Sequence, residues 1–280
     1  DVECASVREI GYYCAVTSTV VTTLEKKGLV ECYDSEMLRT PYAETVKPEI
    51  MSTQLNAEQQ LAFDQLLKLY TSGSPSASLL YGVTGSGKTQ VYMNLIDRVI
   101  ADGRHVIVMV PEISLTPQML SLFLKRYGSR IAVLHSGLAI GERMDEWKRI
   151  KRGEAQITVG TRSAVFAPVD NLGLIIMDEE QEHTYKSESS PRYHARDVGR
   201  FRCARNNAML LLTSATPSVE TYYAAQNGRY SFQKLTCILP HLRPCNNMPV
   251  VQYQPDLPPC KRTSNVSLLW SCPRSSGCLP

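Results

Sequence analysis

No stretch of about eighteen apolar residues occurs among the 280 residues, so the sequence holds no membrane-spanning helix and no membrane partner is expected. No basic-then-apolar leader precedes the first helical pattern, and a soluble, cytoplasmic chain is the expectation. Paired cysteines are missing too. Nine cysteines are present, but none forms a C-x-x-C pair, which removes the usual spacing of zinc modules and redox dithiols and leaves buried or idle thiols. Charge of one sign is also scarce, with 30 Lys and Arg against 27 Asp and Glu for a net +3. That balance is compatible with nucleic acid without pointing to it. Internal repeats are absent, and residue 1 is Asp inside a helix-like pattern, so a fragment of a longer polypeptide is expected.

Against these absences one octapeptide stands out. Gly82, Val83, Thr84, Gly85, Ser86, Gly87, Lys88 and Thr89 fill every position of the G-x-x-x-x-G-K-[ST] phosphate loop. An apolar, strand-like run precedes it at residues 78–81 and a helical pattern follows at 90–100. In that setting glycines let backbone N–H groups close around phosphates, Lys88 reaches the β- and γ-phosphates, and the Thr89 hydroxyl ligates Mg²⁺. ATP and Mg²⁺ are therefore the expected ligands. The partner motif is an acidic box at the end of an apolar run: residues 174–177 (Leu-Ile-Ile-Met) lead into Asp178, Glu179, Glu180 and Gln181. Asp178 is expected to hold the metal and Glu179 to activate the attacking water.

From residue 55 element types alternate. Helical patterns at 57–70, 89–101, 116–127, 141–152, 194–205 and 219–226 interleave with apolar runs at 79–81, 105–110, 131–134, 156–159, 174–177 and 209–212. That rhythm predicts an α/β fold with a doubly wound parallel sheet, covered on both faces, whose ligands collect at the carboxyl ends of the strands. Residues 1–40 read as two helices followed by short β pieces at 29–33 and 37–39, the order of a partial winged-helix DNA-binding module, in which Thr22, Thr23 and Lys26 could face a duplex backbone. Residues 41–54 read as a linker and 55–236 as the nucleotide-binding lobe. Residues 237–280 hold five cysteines and eight of the 16 prolines without helical or strand period; a disordered or out-of-frame tail is expected there, with a zinc module as the alternative.

Further motifs follow strand ends. Thr161, Arg162 and Ser163 suit a phosphodiester backbone, and Ser214 and Thr216 could hydrogen-bond to the acidic box through Gln181, coupling nucleotide state to a nucleic-acid loop. Residues 183–197 are rich in rings and cations: Tyr185 and Tyr193, with His194, could stack on bases while Lys186, Arg192 and Arg196 neutralise phosphates. Gln59 stands upstream of the phosphate loop, where an amide can read the adenine edge, and Asn56 before it is a helix cap.

The motifs L-N-A-E-Q (55–59), G-V-T-G-S-G-K-T (82–89), M-V-P-E-I-S-L-T-P-Q (109–118), L-H-S-G-L (134–138), G-T-R-S-A-V-F-A-P (160–168), R-Y-H-A-R-D (192–197) and S-A-T-P (214–217) resemble those of the bacterial replication-restart helicases, the primosomal protein N-prime family. The resemblance implies a RecA-like first helicase lobe and ATP-dependent 3′ to 5′ unwinding. It also implies forked or single-stranded DNA, primosome proteins and single-strand-binding proteins as partners. In that family the box reads D-E-E-H, so Gln181 is a departure. A second motor lobe with an arginine finger and a zinc module are implied for intact relatives; their residues, zinc ligands included, are not recognisable here. Another superfamily 2 DNA translocase, or an inactive fragment that binds DNA and ATP, remain the alternative readings.

Overall fold

The computed structural model describes residues 7–32 and 54–236. Two short helices, α1 (Val7–Cys14) and α2 (Ser18–Lys26), form the first segment. The expected β piece at 29–33 is not a strand over its described part, 29–32; the piece at 37–39, the linker and the tail lie outside the described residues. Thr22 and Thr23 donate their hydroxyls to the Ser18 and Thr19 carbonyls (3.1 and 2.8 Å). Such back-bonding to the preceding turn engages hydroxyls that the sequence reading offered to a duplex.

Residues 54–236 fold as the alternation predicts. The elements run α3 (Ala57–Thr71), β1 (Ser76–Gly82), α4 (Lys88–Ala101), β2 (His105–Met109), α5 (Pro117–Tyr127), β3 (Ile131–Leu134), α6 (Ile140–Lys151), β4 (Ile157–Gly160), β5 (Leu172–Met177), α7 (Ala195–Asn206), β6 (Met209–Ser214), α8 (Val219–Gln226) and β7 (Ser231–Leu235). Helix starts are written locally. Asn56 caps α3 in a reciprocal box with Gln59, Thr116 caps α5 ahead of Pro117, and Ser218 caps α8.

Seven strands, all parallel, form one sheet in the order β3-β4-β2-β5-β6-β1-β7. Because side chains alternate across a strand, each apolar run feeds two cores. Val106, Val108, Leu174, Ile176 and Leu211 pack with α3, α4 and α5, while Ile107, Met109, Ile175, Met177 and Leu212 pack with α7 and α8. Continuous apolar runs, without polar alternation, are what a strand buried on both faces requires. β7 went unpredicted, since Ser-Phe-Gln-Lys-Leu is short and half polar; its place at the sheet edge beside β1 explains the composition. Cys203 on α7 is a buried thiol pushed up to about 12 by desolvation, whereas Cys14 and Cys32 are exposed.

The opposite edge, β3, is covered by α6 through an ionic contact. Glu146 is 2% exposed; it accepts from the Val133 N–H (2.8 Å) and pairs with Arg149 (2.6 Å), whose other nitrogen donates to the Ser129 carbonyl (2.7 Å). Burial raises the Glu146 carboxyl, and Arg149, first among the opposing groups, holds it down. Removing one partner of such a pair strands the other charge. Glu146→Ala is therefore expected to destabilise the chain by about 3–5 kcal/mol, and Glu146→Leu with Arg149→Met by clearly less, as read by urea denaturation.

Candidate active site

The strand order sets the site. β5, β6 and β1 are neighbours, with Met177 opposite Leu212 and Tyr81 opposite Ser214, so the acidic box, the Thr213–Ser214 pair and the phosphate loop emerge side by side at one sheet edge. In the loop, Gly85 and Gly87 take φ +80° and +82°, backbone that side chains rarely adopt. Gly82 is required for space: a Cβ there would lie 2.6 Å from Ser86 Oγ and 3.0 Å from Leu235 Cβ. Lys88, buried at the first position of α4, donates Nζ to the Gly82 carbonyl (2.8 Å) and so spans the loop's mouth. The Ser86 hydroxyl is buried with no hydrogen-bond partner among the described residues, an orphan donor that a phosphate oxygen would satisfy. These features fit a phosphate group.

Asp178 sits in a nest of donors. The Thr213 hydroxyl donates to Oδ1, the Glu179 N–H to the same oxygen (3.1 Å), and the Tyr92 hydroxyl to Oδ2 (3.4 Å). Burial pushes its carboxyl above the usual range; Thr213 opposes that shift, Glu179 adds to it, and the Lys88 charge draws it back. Desolvation likewise lifts the Tyr92 phenol well above its ordinary value, so it stays a donor. Among the described residues no cluster of three His, Cys, Asp or Glu could cage a metal. Mg²⁺ does not need one, because it takes one or two protein oxygens and completes its shell with phosphates and water. Thr89 and Asp178 are the residues that fit it.

Glu179 has φ +46°, a left-handed backbone that costs a non-glycine residue roughly 1–2 kcal/mol. Its carbonyl accepts from the Glu182 N–H (3.0 Å). Beyond it runs a relay: Gln181 Nε2 donates to Glu179 Oε2 (3.0 Å), the Ser214 hydroxyl donates to Gln181 Oε1 (2.6 Å), and Ser214 Oγ accepts from the Thr216 N–H (2.9 Å). One amide thus supplies both the donor and the acceptor that an imidazole would divide between two nitrogens. Gln181 and Ser214 are thus bonded directly, and Thr216 joins them through its backbone N–H to Ser214.

Glu180 was missed. Fully buried, it accepts from the Ser218 N–H (2.6 Å) and hydroxyl (3.1 Å) and from the Thr221 hydroxyl (2.9 Å), and lies 3.7 Å from Arg196. Arg196 is therefore held against the acidic box, which corrects its assignment to nucleic-acid phosphates. No sequence signal separated Glu180 from its neighbours, since its partners lie on α7 and α8.

One further expectation is corrected. Tyr185 does not offer its ring to bases: it is 0% exposed, and its hydroxyl donates to the Met109 (3.0 Å) and Asp178 (2.6 Å) carbonyls. Gln59 lies against the phosphate loop: it is 1% exposed, with Nε2 donating to the Ser86 carbonyl (2.9 Å) and Oε1 accepting from the Asn56 N–H (3.0 Å).

Arg162 braces the ring-rich segment, donating to the Thr184 (3.2 Å) and Lys186 (2.6 Å) carbonyls and lying 5.8 Å from the Tyr193 ring centroid. Tyr193 is half-buried and meets Phe166 edge-on at 5.1 Å. The Ser187 N–H donates to the Tyr193 carbonyl (2.7 Å), closing a loop whose tip exposes Arg192. Lys186 and Ser163 are exposed, whereas Thr161 is buried. The exposed ring on this surface is Phe166, which the sequence reading passed over. Nearby, a cavity of about 550 Å³ opens between Glu112, Leu120, Leu124, His135 and Thr161, at the carboxyl ends of β2, β3 and β4.

A parallel α/β sheet with a phosphate loop and, at the end of a neighbouring strand, a buried aspartate followed by a glutamate defines a nucleotide-driven motor lobe. The DEAD/DEAH box helicase family model matches residues 56–224, and the chain belongs to that family. Among curated proteins it is 46% identical over 219 residues to the replication restart protein PriA of Bacillus subtilis, covering 78% of this chain and 27% of that protein. It is 47% identical over 176 residues to PriA of Haemophilus influenzae, covering 63% and 24%. The chain thus spans about a quarter of the length of these relatives. Among solved structures, RecG bound to a three-way DNA junction matches 69% of this chain and 25% of its own at TM-score 0.52 and 22% identity, which shows the shared fold.

Two outcomes test the geometry. Gly87→Ala would place a Cβ 2.2 Å from Gln59 Nε2 at φ +82°, and at least a tenfold loss of Mg-ATP affinity is expected by isothermal titration. Asp178→Asn is expected to abolish Mg²⁺-dependent nucleotide binding yet raise the thermal midpoint at pH 7. Its raised pKa means that the folded state holds the proton more tightly than the unfolded chain, so ionisation costs stability as pH climbs through that window. Asparagine keeps the acceptor for Thr213 and removes the charge.

Proposed function

We propose that this chain is the nucleotide-binding lobe of an ATP-dependent DNA helicase that unwinds 3′ to 5′ in replication restart. The juxtaposition of Lys88, Asp178, Glu179 and the Gln181–Ser214 relay carries the reading. Lys88 neutralises the β- and γ-phosphates, backbone N–H groups of the loop hold their oxygens, and Thr89 with Asp178 holds Mg²⁺, which supplies charge neutralisation on the phosphates. Glu179 accepts the proton of the attacking water, its oxygen oriented by Gln181 Nε2.

The relay gives DNA a route to the chemistry. Ser163, Lys186 and Arg192 are exposed cations or donors suited to a strand's phosphates, and Phe166 with the upper edge of Tyr193 is a stacking platform for its bases. Thr161 and Arg162 act by shaping that surface. Forked or single-stranded DNA is the proposed substrate, and the similarity to PriA supports a place among primosome and single-strand-binding proteins. A second wall carrying an arginine, which the resemblance implies for two-lobed motors, is not among the described residues, so turnover by this chain alone is proposed to be slow.

The 280-residue chain is expected to bind Mg-ATP, to lose at least tenfold in affinity with Lys88→Ala, and to hydrolyse ATP no faster than that variant with or without forked DNA. DNA-stimulated turnover well above the Lys88→Ala blank would refute the slow-lobe reading. In a chain extended through the second lobe, Glu179→Gln should bind ATP normally and lose turnover. The DNA surface is read separately: Phe166→Ala and Arg192→Ala should each weaken oligothymidylate binding by about fivefold or more in fluorescence anisotropy, and unchanged anisotropy curves would remove this surface from the DNA path.

A further inference from the structure

The two carboxylate oxygens of Asp178 are not equivalent. Oδ1 is taken up by the protein itself, accepting from the Thr213 hydroxyl on β6 and from the Glu179 N–H (3.1 Å). Oδ2 accepts from one donor among the described residues, the Tyr92 hydroxyl (3.4 Å). A carboxylate oxygen can accept two hydrogen bonds, so Oδ2 keeps a lone pair for a metal ion or a metal-bound water.

Tyr92 comes to that position from α4. It lies one turn after Thr89, the hydroxyl that fits Mg²⁺ at the end of the phosphate loop, and side chains on a helix lean back over the preceding turn. The phenol therefore meets both residues of the metal site: it donates to Asp178 and stands in hydrogen-bonding range of the Thr89 side chain. Its ring is 1% exposed and packs in the core that α3, α4 and α5 share with the sheet. A phenylalanine ring would fill the same space, so the hydroxyl is the part of this side chain that packing does not require.

We propose that Tyr92 is a positioning residue for the Mg²⁺ of the bound nucleotide, holding Asp178 Oδ2 fixed relative to Thr89 so that the two present a preset pair of oxygens to the metal. The inference deepens the nucleotide-site reading and rests on it. Thr213 and Tyr92 grip the carboxylate at different oxygens, which resists its rotation about the Cβ–Cγ bond. With Thr213 alone the group pivots on Oδ1, and the metal-facing oxygen loses its fixed place. Partners that orient a metal-site side chain in this way are typically worth about 10–100-fold in metal affinity.

Isothermal titration of the 280-residue chain with ATP, in Mg²⁺ and in EDTA, tests it, because the ratio of the two affinities isolates the metal. Tyr92→Phe keeps the ring and loses the hydroxyl. Tyr127→Phe is the matched control, since it removes another buried phenol hydroxyl from the same core, one bonded to the Met93 carbonyl (3.1 Å) rather than to the metal site. For Tyr92→Phe, affinity in Mg²⁺ is expected to fall about tenfold while affinity in EDTA stays within about twofold of wild type, with the far-ultraviolet spectrum preserved. Tyr127→Phe should alter neither affinity. Mn²⁺ in place of Mg²⁺, followed by electron paramagnetic resonance in the presence of ATP, should show the same loss at the metal itself. Unchanged affinity in Mg²⁺, an equal fall in both buffers or a collapsed spectrum would overturn the proposal, the last two marking the hydroxyl as a support of the fold. An equal loss of Mg²⁺ dependence in Tyr127→Phe would assign the effect to core packing and overturn it as well. Wild type that binds ATP in neither buffer, like Lys88→Ala, would remove the nucleotide site and the inference with it.

Discussion

Adjacency of three parallel strands is the constraint on which the site depends. β5, β6 and β1 are paired in register, so their carboxyl ends cannot move apart without breaking the ladder between buried strands. The Asp178 carboxylate, the Thr213 hydroxyl and the Gly82 carbonyl emerge from this edge at fixed separation. Desolvation works against the charge on Asp178, and the donors around it are what make an ionised carboxylate tolerable there. Tyr185, locked to the Asp178 and Met109 carbonyls, closes the floor beneath it.

From that edge the acidic box distributes its side chains in different directions. Asp178 faces the loop and Tyr92, Glu179 engages Gln181, and Glu180 enters the protein to meet Ser218, Thr221 and Arg196. The left-handed turn at Glu179 breaks the strand geometry between Asp178 and Glu180. Four consecutive residues therefore touch α4, β6, α7 and α8. A shift of the box on nucleotide binding has hydrogen-bonded routes to the Thr213–Thr216 loop and, through Arg196, to the base of the ring-rich segment.

The ring-rich segment shows how composition misleads about roles. Tyr185, Arg162 and Arg196 have the residue types of a nucleic-acid surface, yet the Tyr185 hydroxyl and one guanidinium nitrogen of Arg162 donate to carbonyls, and Arg196 donates to the Thr221 hydroxyl beside the Glu180 carboxylate. They build the platform; Arg192, Lys186 and Phe166 are what it exposes. A ring or cation carries no mark in sequence of whether its partner is solvent or a remote loop.

The sequence by itself determined the phosphate loop, the acidic box, the α/β alternation and the cap at Asn56, because each is chemistry between residues close along the chain: glycines between a strand and a helix, acids after an apolar run, an oxygen three residues before an N–H. The relay through Gln181 was also legible, since strand-end loops of one sheet converge on one edge. Only the tertiary structure decided the rest. Gln59 met the phosphate loop at the Ser86 carbonyl, Tyr185 became floor, Glu180 became a buried acceptor for α7 and α8, and β7 joined the sheet through pairing with β1. In each case the deciding partner lies tens of residues away, and the identity of such a partner is set by strand order and packing, which no local pattern of side chains records.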